Sequence, residues 1–288
     1  MFRRFRHAAR VRLLEAVRDG TAPELEALRT GSDGLRADLG VLLQEVAALR
    51  GEVAALRERG EGLGGALHEH LTAWERRTRR DVLTAVDQAA MVSSAEFIRA
   101  EFGPAEPYFS KVDTLKAALA VVPAGGLFLE FGVATGGTLQ LIAEHAPAGT
   151  VFGFDSFEGL PEYWRPGFHA GAFKTEALPD VPGAELVPGW FDDTLPGFLD
   201  EHPEPVAFLH LDADLYSSTR TVLLALRSRL RAGTVIVFDE YFNFPDWEAH
   251  EHRAWVEFVA ETALRFDYLG YTADDEQVAV RLLNAPST

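Results

Sequence analysis

The chain has 288 residues, of which 47% are hydrophobic and 25% charged, a globular composition that excludes wholesale disorder. Its net charge of −17 is unevenly placed: residues 1–90 hold 15 Arg against 14 Asp and Glu, and residues 91–288 hold 12 Lys and Arg against 30 Asp and Glu. So acidic a C-terminal part repels phosphate backbones and argues against nucleic acid as a partner. No run approaches 18 apolar residues, so no membrane span is expected. The absence of cysteine removes disulfides, thiolate metal sites and cysteine nucleophiles.

The start, Met1-Phe-Arg-Arg-Phe-Arg-His, is basic but is followed by no long apolar run, so the expected location is cytoplasmic and the segment reads as a basic helix start. Leucines then recur at 28, 35, 42, 49, 56 and 63, a seven-residue period. Three residues before each stand Leu25, Ser32, Leu39, Val46, Val53 and Gly60. Val at a with Leu at d favours a parallel two-stranded coil. Glu45 and Glu52 at g would face Arg50 and Arg57 at e of a partner, and a homodimer is expected. Glycines at 60, 62, 64 and 65 predict a break in the helix, each costing about 1 kcal/mol against alanine. The expected division is a helix and coiled coil over 1–65, a helical connector and cap over 66–124, and a catalytic domain over 125–288.

From residue 125 short apolar runs alternate with helical patterns. Strands are expected at 127–131, 151–154, 184–187, 206–211, 234–238, 266–271 and 277–282, with helices near 137–146, 193–202, 217–231 and 249–264. Repeated β-then-α units imply an α/β fold, a doubly wound, mostly parallel seven-stranded Rossmann-like sheet. The last two runs, joined by a short polar loop, read as a closing antiparallel hairpin.

After the first strand comes Leu129-Glu-Phe-Gly-Val-Ala-Thr-Gly-Gly-Thr138. Gly132 and Gly136 allow a close backbone approach, and the helix that follows offers free N–H groups. The pattern lacks the Gly-x-Gly-x-x-Gly of dinucleotide sites and the lysine of a P-loop, and Glu130 suits a cationic ligand group. Asp155 ends the next strand, where an acidic residue accepts ribose hydroxyls. A nucleoside cofactor without a required pyrophosphate fits both, and S-adenosylmethionine (SAM) is one.

Glu130-Phe-Gly-Val-Ala-Thr-Gly-Gly, Gly153-Phe-Asp-Ser-Phe-Glu-Gly-Leu-Pro161, Gly189-Trp-Phe-Asp-Asp-Thr-Leu-Pro196 and His210-Leu-Asp-Ala-Asp-Leu-Tyr216 together resemble the macrocin O-methyltransferase-like family, over about residues 90–283. The resemblance implies a class I SAM-dependent enzyme that methylates sugar hydroxyls of natural products, a small hydroxylated acceptor being its partner. It places the cofactor against Glu130, Gly132, Thr135, Gly136, Asp155, Ser156, Trp190 and Asp212. It also implies a divalent metal, Mg²⁺, on Asp212, Asp239 and Glu240. The family commonly shows Asp-Asp where this chain reads Asp239-Glu240. Carboxylates ending two neighbouring strands would converge about 4.8 Å apart and call for a hard cation, although such acids also serve as helix caps.

Asp212 is the expected catalytic base. His210, two residues earlier on the same side of its strand, is the second candidate, and a buried structural histidine is its competing role. His250 and His252 either face substrate or lie on an exposed helix start. The aromatic-rich loop 156–182 reads as a lid or acceptor wall. Alternative functions are a catechol-type or other small-molecule methyltransferase, and a non-catalytic coiled-coil scaffold with a nucleoside-binding domain.

Overall fold

The computed structural model describes residues 2–287, with side chains from residue 6 onward. The side chains of Phe2 and Phe5 in the basic start lie outside the described residues. The chain divides into two compact units, Met1–Arg80 and Asp81–Thr288, where the sequence suggested boundaries after 65 and 124.

The first unit is one helix, α1 (Phe2–Arg80), whose described side chains are all exposed. The leucine stripe lies open along it, Leu28 and Leu35 each 71% exposed. The break expected at Gly60–Gly65 is not there: α1 runs through all four glycines, and none takes a positive φ. Glycine weakens a helix but keeps both backbone hydrogen-bonding groups, so the ladder continues. The interruption comes at Asp81, which leaves helical geometry (φ −82°, ψ 116°) and accepts a bond from the Leu83 N–H at 3.0 Å. An aspartate in that conformation is a good N-cap for α2 (Val82–Glu101).

The second unit continues with β1 (Glu106–Tyr108), α3 (Lys111–Leu119), β2 (Leu127–Phe131), α4 (Gly137–His145), β3 (Val151–Asp155), β4 (Glu185–Pro188) and α5 (Phe191–Glu201). It ends with β5 (Val206–Leu211), α6 (Tyr216–Leu226), β6 (Val235–Phe238), α7 (Glu251–Thr262), β7 (Phe266–Thr272) and β8 (Val278–Leu282). Among the described residues all eight strands form one sheet in the order β1-β7-β8-β6-β5-β2-β3-β4. The five strands from β6 to β4 are parallel, and β7–β8 is the expected antiparallel hairpin. The expected count of seven strands is corrected to eight. The addition, β1, is a Glu-Pro-Tyr edge strand parallel to β7, too short to register as a pattern, with its proline where prolines in sheets are tolerated.

Burial on both faces explains why the strands read as unbroken apolar runs. Leu127, Leu129 and Phe131 enter one core cluster and Phe128 the other. From β2 the chain winds outward through β3 to β4, then returns to place β5 and β6 on the other side. The reversal between β2 and β5 leaves a crevice at their C-terminal ends, where open α/β sheets bind ligands.

Candidate active site

A cavity of about 1080 Å³ opens at those strand ends. Its floor is the turn after β2, where Gly132 (φ 94°) adopts a conformation that disfavours side chains, and any Cβ there would run into the Asp212 carbonyl oxygen. Gly132 therefore lets β2 and β5 meet at their tips as well as opening the turn to a ligand. Gly136 (φ 82°) caps α4, and a Cβ on it would lie 2.6 Å from Val181. Gly132 and Thr135 line the cavity; Gly136 shapes the turn behind it.

Asp155 holds this turn from the tip of β3. Its Oδ2 accepts the N–H groups of Val133 (2.9 Å) and Ala134 (2.8 Å), and its Oδ1 accepts that of Phe157 (2.7 Å). A carboxylate has about four acceptor positions, so one remains for a ligand hydroxyl. The residue faces the cavity as expected but also organises the loop around itself. Ser156 and Trp190 line the same wall.

Glu130 differs from expectation. It is fully buried and absent from the lining, with Oε1 2.8 Å from His210 Nδ1 and Oε2 without a partner. The reason is register: Glu130 and His210 lie opposite each other on β2 and β5. The second imidazole nitrogen of His210 is 3.6 Å from Asp239 Oδ1, and Asp239 Oδ2 is 3.7 Å from Lys111 Nζ. Burial by itself lowers the histidine pKa, but the Asp239 and Glu130 carboxylates outweigh it and raise the value to about 10. An imidazole that stays protonated, with a carboxylate at each nitrogen, is a poor base, so the structure assigns His210 its competing structural role.

Burial likewise pushes Asp239 upward, but His210 and Lys111 overcome it and hold its carboxyl below the ordinary range. Asp239 is thereby turned into an ion-pair chain. The acids that converge are Asp212, Asp214 and Glu240, with one oxygen of each within 4.8 Å of the others. Sequence reasoning missed Asp214. It follows β5 in a left-handed conformation (φ 59°), which strand alternation does not anticipate. Burial, then Asp239, raises Asp212 well above the usual carboxylate range. Burial, then Asp212, does the same to Glu240. Asp214 is pushed up to about 7, mainly by burial and against the pull of Arg165. Glu240 Oε2 is buried without a hydrogen-bond partner. Three crowded carboxylates, one of them with an unpartnered buried oxygen, fit a hard divalent cation with oxygen ligands.

The loop 156–182 closes one side through Trp164, Arg165, Phe168 and Phe173. The Arg165 guanidinium lies 3.9 Å from the Trp164 ring centroid and donates to both oxygens of Glu276, at 2.8 and 2.9 Å. Neither His250 nor His252 lines the cavity. His252 packs among Phe97, Trp247 and Tyr241, with centroids 4.7–5.1 Å away.

Residues 129–241 match the family described as "Methyltransferase domain". The chain is 32% identical to the 8-demethyl-8-(2,3-dimethoxy-alpha-L-rhamnosyl)-tetracenomycin-C 4'-O-methyltransferase of Streptomyces olivaceus, over 46% of this chain and 60% of that one. It is 27% identical to the demethyldecarbamoylnovobiocin O-methyltransferase of Streptomyces niveus, over 47% and 61%. It thus spans about three fifths of the length of these relatives. A solved calicheamicin methyltransferase aligns at 26% identity and a TM-score of 0.48, covering 59% of this chain and 76% of that one.

Proposed function

We propose, from a methyltransferase domain whose acids converge beside a glycine turn, that the protein transfers a methyl group from SAM to a hydroxyl of a small acceptor, a sugar of a glycosylated natural product. The observation that carries this reading is the meeting of the Gly132–Thr135 turn, Asp155 and the Asp212–Asp214–Glu240 cluster in one cavity. The two antibiotic O-methyltransferases above support the sugar acceptor.

The backbone of the turn and Asp155 hold the cofactor's nucleoside end, and the aromatic side chains of the 156–182 loop offer a stacking face to the acceptor. Attack on the sulfonium methyl needs the hydroxyl in line and its proton removed. Asp214, on the cavity wall beside Asp212 and Glu240, is placed to accept that proton through the carboxylate oxygen it does not turn to the cluster. Asp212, Asp214 and Glu240 would hold Mg²⁺, which polarises a hydroxyl as a Lewis acid when bound. Asp239 supports the cluster through His210 and Lys111.

The charge of the cavity bears on the acceptor. Nine carboxylates line it (Asp155, Asp192, Asp193, Asp212, Asp214, Asp239, Glu240, Asp275 and Glu276), against Lys111, Arg165 and the buried His210 as cations. Lys111 and Arg165 already face Asp239 and Glu276. With Asp212, Asp214 and Glu240 set aside because burial pushes them toward the neutral form, six acids still face three cations, which disfavours a phosphorylated acceptor and favours a neutral or amino-sugar glycoside.

Two copies associate through α1, the Val-a and Leu-d stripe forming the seam and Glu45–Arg50 and Glu52–Arg57 flanking it. Methyl-labelled SAM offered with neutral glycosides, amino-sugar glycosides and nucleoside-diphosphate sugars tests the activity. Label should appear on a glycoside hydroxyl. Transfer only to diphosphate sugars overturns the acceptor assignment, and no transfer to any hydroxyl overturns the activity.

A further inference from the structure

Glu251 is the first residue of α7, fully buried, and absent from the cavity. Its carboxylate forms no side-chain cap on its own helix; it reaches two loops that carry the acidic cluster. Oε1 accepts from the Ala213 N–H and from the Thr219 hydroxyl, each at 3.3 Å. Oε2 accepts from the Glu240 N–H at 3.2 Å. Ala213 lies between Asp212 and Asp214, so one side chain grips the backbone at two separate origins of the cluster. Nothing in a helix start requires this, and burying a carboxyl is costly unless its partners compensate. Asp214 also sits at φ 59°, a conformation that persists only where surrounding structure enforces it.

We infer that Glu251 is a positioning residue that clamps the loop after β5 to the loop after β6 and so sets the spacing of Asp212, Asp214 and Glu240. The inference rests on the cation reading above only for its effect on metal affinity; the clamp is defined by the two backbone bonds. Glutamine has one acceptor oxygen, so Glu251→Gln keeps the shape of the side chain and turns an NH₂ toward one of the two N–H groups. Glu251→Asp keeps the carboxyl group but is one methylene too short to span both loops.

The test uses full-length protein, wild type and Glu251→Gln, with two readouts. Amide hydrogen exchange should show Ala213 and Glu240 protected in the wild type and deprotected in the variant, with the β2 and β3 amides unchanged. Mn²⁺ titration should show affinity weakened about 10–100-fold, with SAM affinity unchanged. If the wild type takes up no Mn²⁺, the cation reading fails and the exchange data alone decide the clamp. Unchanged protection of the two amides overturns the inference, as does lost protection with undiminished Mn²⁺ affinity. Should Glu251→Gln fail to fold, Glu251→Asp carries the same two readouts and outcomes. Thr219→Val, which removes only the third bond, should leave both amides protected.

Discussion

At the scale of single residues, the site rests on groups whose partners determine their chemistry. Asp155→Ala should weaken SAM binding roughly 10–100-fold in calorimetry, since it removes a charge-assisted acceptor and releases three N–H groups of the loop. An unchanged dissociation constant would remove Asp155 from the cofactor site. Asp214→Asn should lower kcat by about 10²-fold or more, the usual scale for a lost general base, with SAM affinity preserved; equal turnover would leave Asp212 as the base. His252 gives a pH dependence of stability. Burial lowers its pKa to about 4, against 6.5 for the free side chain. Between those values the unfolded chain binds the proton and the folded chain does not, so stability is full above pH 6.5. It declines as pH falls toward 4, by up to about 3 kcal/mol. His252→Phe should flatten that part of the stability–pH curve measured by denaturant unfolding, and an unaltered slope would assign it to other groups. Asp155, Gly132 and Asp212 were legible because each sits at a strand end, where alternation and glycine spacing constrain the backbone. Asp214, Lys111 and Glu251 were not, because their roles depend on a left-handed turn and on elements that only the fold brings near.

At the scale of elements, the α/β alternation was readable because strands buried on both faces leave continuous apolar runs. What escaped was β1, whose three residues carry no periodicity, and the continuity of α1, where glycine composition suggested a break the backbone does not make. The turn after β2 shows how much one position can matter. Gly132→Ala adds both a disfavoured φ and a collision with the Asp212 carbonyl, and should cost about 3 kcal/mol, or roughly 6–12 °C in Tm for a unit of this size. Gly137→Ala is the contrast: its φ is ordinary and nothing lies within 4 Å of the added carbon. It should hold or slightly raise Tm. Equal losses in the two variants by calorimetric scanning would deny Gly132 its special place.

At the scale of the whole molecule, the two units make separable predictions. Light scattering should give a dimer mass for the full chain and a monomer mass for residues 81–288; identical association would move the interface away from α1. The period of seven is legible in the sequence without any knowledge of a partner, and the dimer mass is what tests it as a seam. Where deletion stops also matters, because β1 covers the outer side of β7 at the edge of the sheet. A chain beginning at 81 keeps that cover. One beginning at 125, the start suggested by the α/β pattern, loses α2, β1 and α3 together, which bares the backbone of β7 from Gly270 to Thr272 and uncovers the core that Leu115, Ala118 and Leu119 pack against. Such an open edge is a template for strand addition by another copy. The longer fragment should stay in solution on concentration and the shorter one should aggregate, so elements outside the matched segment govern whether it can be handled alone.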